Sequence, residues 1–229
     1  VEHSDGQPPV VVPVGDSPDS RLFIELSSYG ADLAEAERAL DLAVRGLEKG
    51  SALAEATAHL VGFAVVAYCR TVMPSNVRGR LTDHVDVPSE FAAVHAHVKT
   101  YRNATVAHSQ SGLAVTYALG VLDSGSLKVR DVTALTCLVP LPDRVIHEFR
   151  ALIDAMEDRL GQALEPVRRR LMETLAELDE SQMSQLRKAA APDIQEKWAH
   201  EFNPRSTRRP YPTGHTVYWD LPRGDGIRD

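Results

Sequence analysis

Apolar residues recur every three or four positions over residues 21–47, at Leu22, Leu26, Tyr29, Leu33, Ala36, Leu40, Ala43, Val44 and Leu47. That is the period of an amphipathic helix, and Gly50 closes it. A second helix is predicted from Ser51, a cap with Glu55 close behind it, through His59, Phe63, Val66 and Tyr68 to about Met73, where Pro74 stops it. It is apolar almost all round, the pattern of a helix central in a bundle. Residues 74–88 collect Asn76, Gly79, Asp83, Asp86 and Pro88 and read as a connection with room for one short turn of helix. Ser89 then caps a third helix, in which Phe91, Val94, Val98, Tyr101, Thr105 and Ala107 lead to Gly112.

The period changes next. Two stretches that alternate or run apolar, 113–119 and 127–136, flank Asp123-Ser-Gly-Ser126 as two strands flank a turn, which predicts a β-hairpin over about 113–139. Pro140 and Pro142 open a long helical segment whose stripe runs from Ile146 through Phe149, Ile153, Met156, Leu160, Val167 and Leu171 to Leu178. Pro166, after Gly161, is expected to kink or divide it. The stripe fits a coiled-coil seam or the core face of a bundle helix. The fold class expected is therefore mainly α, a helical bundle over residues 20–191 with an inserted β-hairpin. It lies between a disordered segment, 1–19, that carries Pro8, Pro9, Pro13 and Pro18, and an extended arm rich in Pro, Arg and Gly, 192–229.

Charge narrows the choice of partner. The chain has 229 residues with Lys+Arg 25 against Asp+Glu 32, a net charge of -7, so no general basic field is available to hold long nucleic acid and any such contact has to be local. Cys69 and Cys137 lie far apart, each in an apolar run, without the spacing of a metal or redox pair; they read as buried thiols of a reducing cytoplasm. The longest apolar run near the middle, 60–68, is about half the ~20 residues a membrane span needs, and residues 1–19 lack the basic start of a signal peptide. No nucleophile-elbow, P-loop or dinucleotide glycine pattern occurs, which argues against a serine hydrolase, an NTPase or a dinucleotide enzyme of standard form.

The stretch richest in chemistry is Thr100-Tyr-Arg-Asn-Ala-Thr-Val-Ala-His-Ser109, which brings Arg102, Asn103 and His108 together at the end of the third helix. It resembles the motif of the HEPN superfamily: Arg, a polar residue that is commonly Asn, four to six further positions, then His, often as Ala-His-Ser. Tyr68-Cys-Arg-Thr-Val-Met-Pro74 is similar to the segment before the motif helix in abortive-infection types of HEPN protein. Gln110 stands where HEPN toxins paired with nucleotidyltransferase antitoxins carry Tyr, so the chain departs from that subgroup. The resemblance covers about 51–122. It implies an all-helical homodimer, often a metal-independent ribonuclease needing no cofactor, with RNA as substrate and a cognate antitoxin or other defence-system protein as partner.

These residue types suit that chemistry. Cleavage of RNA by its own 2′-hydroxyl needs a group that takes and gives a proton near neutral pH, as imidazole does, and a fixed cation for charge developing at phosphorus. His108 and Arg102 supply them, while Asn103 can orient the imidazole or hold a phosphate oxygen. Arg70, on the neighbouring helix, and His95, seven residues before Arg102 and on almost the same face, are candidates to bind substrate. In an ideal helix Arg102 and His108 stand about 120° apart around the axis and about 9 Å along it, so the site requires the helix to end near His108, the Arg to reach round, or a second subunit to complete it.

Competing readings are simpler. Arg102 and Asn103 can instead hydrogen-bond the helix end and the hairpin, leaving a non-catalytic module that binds a protein partner. A zinc site at His84, His95 and His97 is disfavoured because neighbours two apart on a helix point ~200° apart and no Cys joins them. His59 reads as a core histidine, and Arg168-Arg-Arg170 as a solvated helix face. Arg205, Arg208 and Arg209 interleave with Tyr211 and His215, a mixture that suits single-stranded RNA but equally an arm bound to a partner.

Overall fold

A computed structural model of the chain describes residues 10–75, 78–106, 112–188, 193–197 and 210–218. The protein is mainly helical with an inserted antiparallel hairpin. It divides into two compact units, a larger one of Ser28–Ser75 and Gly79–Ala163 and a smaller one of Val1–Ser27, Asn76–Arg78 and Leu164–Asp229. The helices are α1 (Pro18–Gly46), α2 (Thr57–Val72), α3 (Ala92–Tyr101), α4 (Asp143–Ala176) and α5 (Glu180–Lys188); the strands are β1 (Ala114–Leu122), β2 (Val129–Leu138), β3 (Asp193–Lys197) and β4 (Gly214–Tyr218). Among the described residues, no helix is long and apolar enough to cross a membrane.

The core of the larger unit forms where the helical stripes close on one another. Tyr29, Leu33, Ala36 and Leu40 of α1, Ala64, Val65 and Tyr68 of α2, Val98 of α3, and Phe149, Leu152, Ile153 and Met156 of α4 expose no surface. Each fully buried Leu, Ile, Phe or Met stabilises the fold by roughly 1.5–3 kcal/mol relative to exposure. The α4 stripe is thus a core face in this chain. The face of α2 is less uniform than its composition suggests, since Phe63 and Val66 stay 50% and 36% exposed on the side opposite Val65 and Tyr68.

Between α1 and α2 the chain departs from the simple start expected at Ser51. Gly50 takes φ 80°, in the left-handed region that favours glycine. The Ser51 hydroxyl then accepts the Leu53 N–H at 3.2 Å, which makes a local turn in place of a helix cap. One turn of 3-10 helix, Ala54–Ala56, follows, and α2 begins only at Thr57. A Cβ on Gly46 would overlap Thr57 Oγ1 and lie 3.1 Å from the Leu53 carbonyl oxygen, so α1 and α2 can approach at this corner only because residue 46 has no side chain. The connection before α3 contains the turn expected there, Leu81–Asp83, and a second 3-10 turn, Ser89–Phe91, leads into α3, so Ser89 opens that turn and does not cap the helix.

In the hairpin, β1 and β2 pair antiparallel from Ala114↔Leu138 to Leu122↔Val129, with a register shift between Val121 and Leu122. Its turn is organised by Asp123, whose Oδ1 accepts the backbone N–H groups of Gly125 at 3.1 Å and Ser126 at 3.0 Å.

Pro166 does not divide α4, which runs unbroken from Asp143 to Ala176. A proline nitrogen leaves the carbonyl four residues earlier, that of Gln162, without its helical donor. Both Gln162 and Pro166 are exposed, so water can satisfy that carbonyl and the helix continues.

In the smaller unit, α1 starts with reciprocal bonds: the Ser20 N–H donates to Ser17 Oγ at 3.1 Å and the Ser17 N–H to Ser20 Oγ at 2.8 Å, ahead of Pro18 in the first turn. Helix α5 begins just beyond Leu178, where the long apolar stripe ends. Asp179 Oδ1 accepts the Gln182 N–H at 2.8 Å, and Gln182 Oε1 accepts the Asp179 N–H at 2.9 Å. The tail holds a parallel pair, β3 on β4, from Asp193↔Gly214 to Lys197↔Tyr218. Tyr211 donates to the Val14 carbonyl and lines an apolar cleft of ≈ 350 Å³ with Phe23, Ile24, Leu171 and Met172.

Replacing Gly46 by Ala is expected to destabilise the protein by about 1–3 kcal/mol, the usual cost of forcing atoms into packed space. Chemical denaturation followed by circular dichroism measures it. An unchanged midpoint would contradict the close approach at this corner.

Candidate functional site

The expected end of the third helix at Gly112 follows residues 107–111, which lie outside the described residues, but the helix changes character before them. It ends as an α-helix at Tyr101, and residues Arg102–Val106 form a π-helical turn. The Arg102 N–H bonds the Lys99 and Val98 carbonyls at the transition. Hydrogen bonds in a π turn span one residue more than in an α-helix, so it is wider, and the ~100° per residue used to separate Arg102 from His108 does not hold through it.

Arg102 is half-buried and Asn103 exposed. The Arg102 Nη1 donates to Asn103 Oδ1 at 3.0 Å, so the two side chains lie side by side on the outside of this turn. Tyr101, the last residue of α3, is 9% exposed and lines a cleft of ≈ 230 Å³ with Val61, Leu141 and Ile146. Cys69 of α2 is buried, and burial pushes its thiol up to about 11 even though the Arg102 and Lys99 cations pull it down. It is an inert neighbour of the arginine at neutral pH. His108 lies outside the described residues, as do Arg205, Arg208 and Arg209.

Arg70 is engaged elsewhere. It sits at the exposed end of α2 and makes ion pairs with two carboxylates of α1, Asp32 at 2.7 Å and Glu35. A phosphate approaching it has to compete with both, whereas the hydrogen-bond partner of Arg102 is a neutral amide.

His95 faces inward. Its Nδ1 is 2.7 Å from the hydroxyl of Tyr68, and the rings meet edge to face with centroids 5.9 Å apart. The Tyr68 ring also packs edge to face on Phe149, at 5.5 Å. Burial raises the Tyr68 phenol far above its ordinary value, so it keeps its proton. Burial, with the Lys99 cation adding to it, lowers His95, so the imidazole is neutral. The pair is satisfied when the phenol donates to Nδ1 and the remaining proton sits on Nε2. The imidazole therefore ties α3 to α2. Composition alone contained the hint, because a tyrosine on so apolar a helix has to find a partner for its hydroxyl when buried.

A cluster of carboxylates that the sequence did not single out forms between α1 and α4. Glu37, Asp154 and Glu157 place oxygens within 4.8 Å of one another, the type of grouping that can hold a cation. Arg150 already serves it, bonding Glu37 at 2.8 Å and Asp41 at 2.6 Å and also pairing with Asp154. Burial, together with the Glu37 and Asp154 charges, raises the Glu157 carboxyl. In the smaller unit Arg170 pairs with Asp19 at 2.6 Å, and Arg168 lies 3.4 Å from Glu165.

Comparison with family models, with curated proteins and with solved structures finds no match. The assignment of each group accordingly rests on its own surroundings, and that of His95 has a sign that can be measured. Its value in the fold is lowered from the ordinary 6.5, so the stability it contributes is whole above that pH and is lost as pH falls towards the lowered value, because the unfolded chain takes up the proton first. Thermal unfolding of the wild type is expected to lose midpoint more steeply below pH 6.5 than that of His95→Gln, which keeps an acceptor but cannot titrate. Tyr68→Phe is expected to cost about 1 kcal/mol by removing one hydrogen bond. Parallel slopes for wild type and His95→Gln would contradict the assignment.

Proposed function

We propose that the chain is a HEPN-like endoribonuclease that cleaves RNA without a metal, acting as a homodimer in a bacterial defence or toxin system in the cytoplasm. One observation carries this reading: Arg102 and Asn103 lie together at the surface of a π-helical turn, the guanidinium hydrogen-bonded to a neutral amide and, among the described residues, to no carboxylate. Departures of this type from α geometry recur at functional sites. A cation that is partly accessible and has no carboxylate bonded to it keeps its affinity for phosphate oxygens.

In the proposed reaction His108 takes the proton of the 2′-hydroxyl, whose oxygen attacks phosphorus. The bond to the 5′-oxygen breaks, that oxygen receives a proton, and the products are a 2′,3′-cyclic phosphate and a free 5′-hydroxyl. Arg102 stabilises the additional negative charge on the non-bridging oxygens, and Asn103 orients either the guanidinium or a phosphate oxygen. His95, neutral and bonded to Tyr68, is a positioning residue in this scheme. Arg70 contributes to RNA binding only after leaving its acidic partners on α1. The second reading, a HEPN-like module that binds a protein and cuts nothing, draws on a different observation, the apolar hairpin exposed on both faces.

Purified protein incubated with RNA in EDTA is expected to cut it, and Arg102→Ala with His108→Ala to reduce cutting by at least ~100-fold, the usual scale for removing a charge stabiliser or a general base. Product ends carrying cyclic phosphate are the second readout. Equal cutting by variant and wild type would assign the activity to another site, and no cutting by the wild type on a varied RNA pool would favour the binding module.

A further inference from the structure

The hairpin poses a problem that the nuclease reading does not touch. Its sheet has two strands, so both outer edges are open. One face carries Val115, Tyr117, Leu119 and Val121 of β1 opposite Cys137, Leu135, Thr133 and Asp131 of β2, by the observed register. Tyr117 is 52%, Leu119 41% and Leu135 51% exposed, and Cys137 is exposed. The other face carries Thr116 and Thr136, bonded at 2.9 Å, Ala118 opposite Ala134, and Val132 and Leu138, each 68% exposed. Neither β1 nor the stretch from Val132 to Leu138 contains a charged residue. Proteins usually protect an open edge with Lys, Pro, a short strand or an inward charge, and β1 has none of these over its 9 residues. A two-stranded ribbon is at best marginal on its own in water.

We infer that this ribbon is a homotypic docking arm, whose Tyr117–Leu119–Leu135 face packs against a second copy of the chain. Charge removes other classes of partner. The hairpin carries two cations, Lys128 and Arg130, against two carboxylates, Asp123 and Asp131, so it has no net charge to draw a phosphate backbone or an anionic membrane. Area selects the second copy over an unrelated protein. Nine rungs of about 3.4 Å, two strands wide, present roughly 300 Å² per face, so one ribbon on a foreign surface buries about 600 Å² counted on both sides, the scale of lattice contacts. A two-fold axis that lays each ribbon on the helical unit of the other copy doubles this, because each copy then contributes its ribbon and receives the other. The total of roughly 1,200 Å² reaches the lower end of stable interfaces. The inference rests on the homodimer of the proposed function, to which it adds the face that forms it, and does not depend on whether RNA is cut.

Sedimentation equilibrium of the full chain tests it, with alkylation of Cys137 as a second readout; Cys69 is buried and serves as the internal control. The wild type is expected to have the mass of two chains and to shield Cys137 from a maleimide. Tyr117→Lys with Leu119→Lys is expected to weaken the dimer by roughly 100-fold, as loss of central apolar contacts does, and to speed alkylation of Cys137 by roughly tenfold at unchanged helical circular dichroism. If that variant unfolds, excision of the ribbon replaces it. Leu113 and Val139 are joined by a 2.7 Å backbone bond, so a short Gly-Ser link can close the gap, and the excised chain is expected to be a monomer. A wild type with the mass of one chain overturns the inference. So does a dimer that survives substitution or excision, or a Cys137 that reacts equally fast in wild type and variant.

Discussion

A phenol that cannot reach water constrains the larger unit more than any other group. Tyr68 exposes none of its surface, yet its hydroxyl needs a partner, and the imidazole of His95 is the group that meets it. Phe149 closes the other side of the ring. The three residues belong to α2, α3 and α4, so a single polar atom and two edge-to-face contacts set how three helices meet. The magnitudes divide the work. Burying the ring is worth several kcal/mol and aromatic pairs add about 0.5–1.5 each, whereas the hydrogen bond nets about 1. Packing therefore supplies the stability, and the hydrogen bond supplies the register of α3 along α2, since an unpaired buried hydroxyl would cost more than the bond gains.

The position of Arg102 follows from that register. Val94, Val98 and Tyr101 are buried as the inner stripe of α3, and the residue after Tyr101 begins a wider turn whose side chains are not buried. The electrostatics around the larger unit then separate its arginines by role. Arg150, with 21% of its side chain exposed, is surrounded by Glu37, Asp41 and Asp154 and acts as a clamp between α1 and α4. Arg70 is held by Asp32 and Glu35. In an acidic chain such pairing is the default, which makes an arginine whose side-chain hydrogen bond goes to an asparagine the better candidate for an anionic ligand. The ion pairs themselves are modest contributors at partly exposed positions, on the order of 0–1 kcal/mol each, so they direct specificity more than stability.

Most of the fold was legible in the spacing of apolar residues. The α1 and α4 stripes, the turn at Asp123 and the strands on either side follow from periodicity and turn chemistry, which act locally. What was not legible depends on atoms distant in sequence or on solvent. Ser51 looks like a cap, but its hydroxyl bonds Leu53 in a local turn and α2 begins only at Thr57. Pro166 looks like a break, but it and Gln162 are both exposed, where water can take the place of the missing donor. The capping residues Asp179 and Gln182 were readable as the start of α5, and the long apolar stripe before them concealed it. At the candidate site, Arg102 and Asn103, adjacent in the sequence, lie side by side. Sequence could not reveal that His95 is turned inward to Tyr68 or that Arg70 is already paired, because both depend on which faces of α1, α2 and α3 come together. The π turn is likewise invisible to a count that assumes 3.6 residues per turn.

The bond between Tyr68 and His95 underlies the placement of α3 and of the motif at its end. The most direct measurement is a long-range ¹H–¹⁵N correlation spectrum of the imidazole at neutral pH, with Tyr68→Phe as reference. The neutral ring protonated at Nε2, with an Nδ1 signal that shifts when the phenol is removed, is the predicted result. A ring protonated at Nδ1, a charged ring, or an Nδ1 signal indifferent to Tyr68→Phe would contradict it.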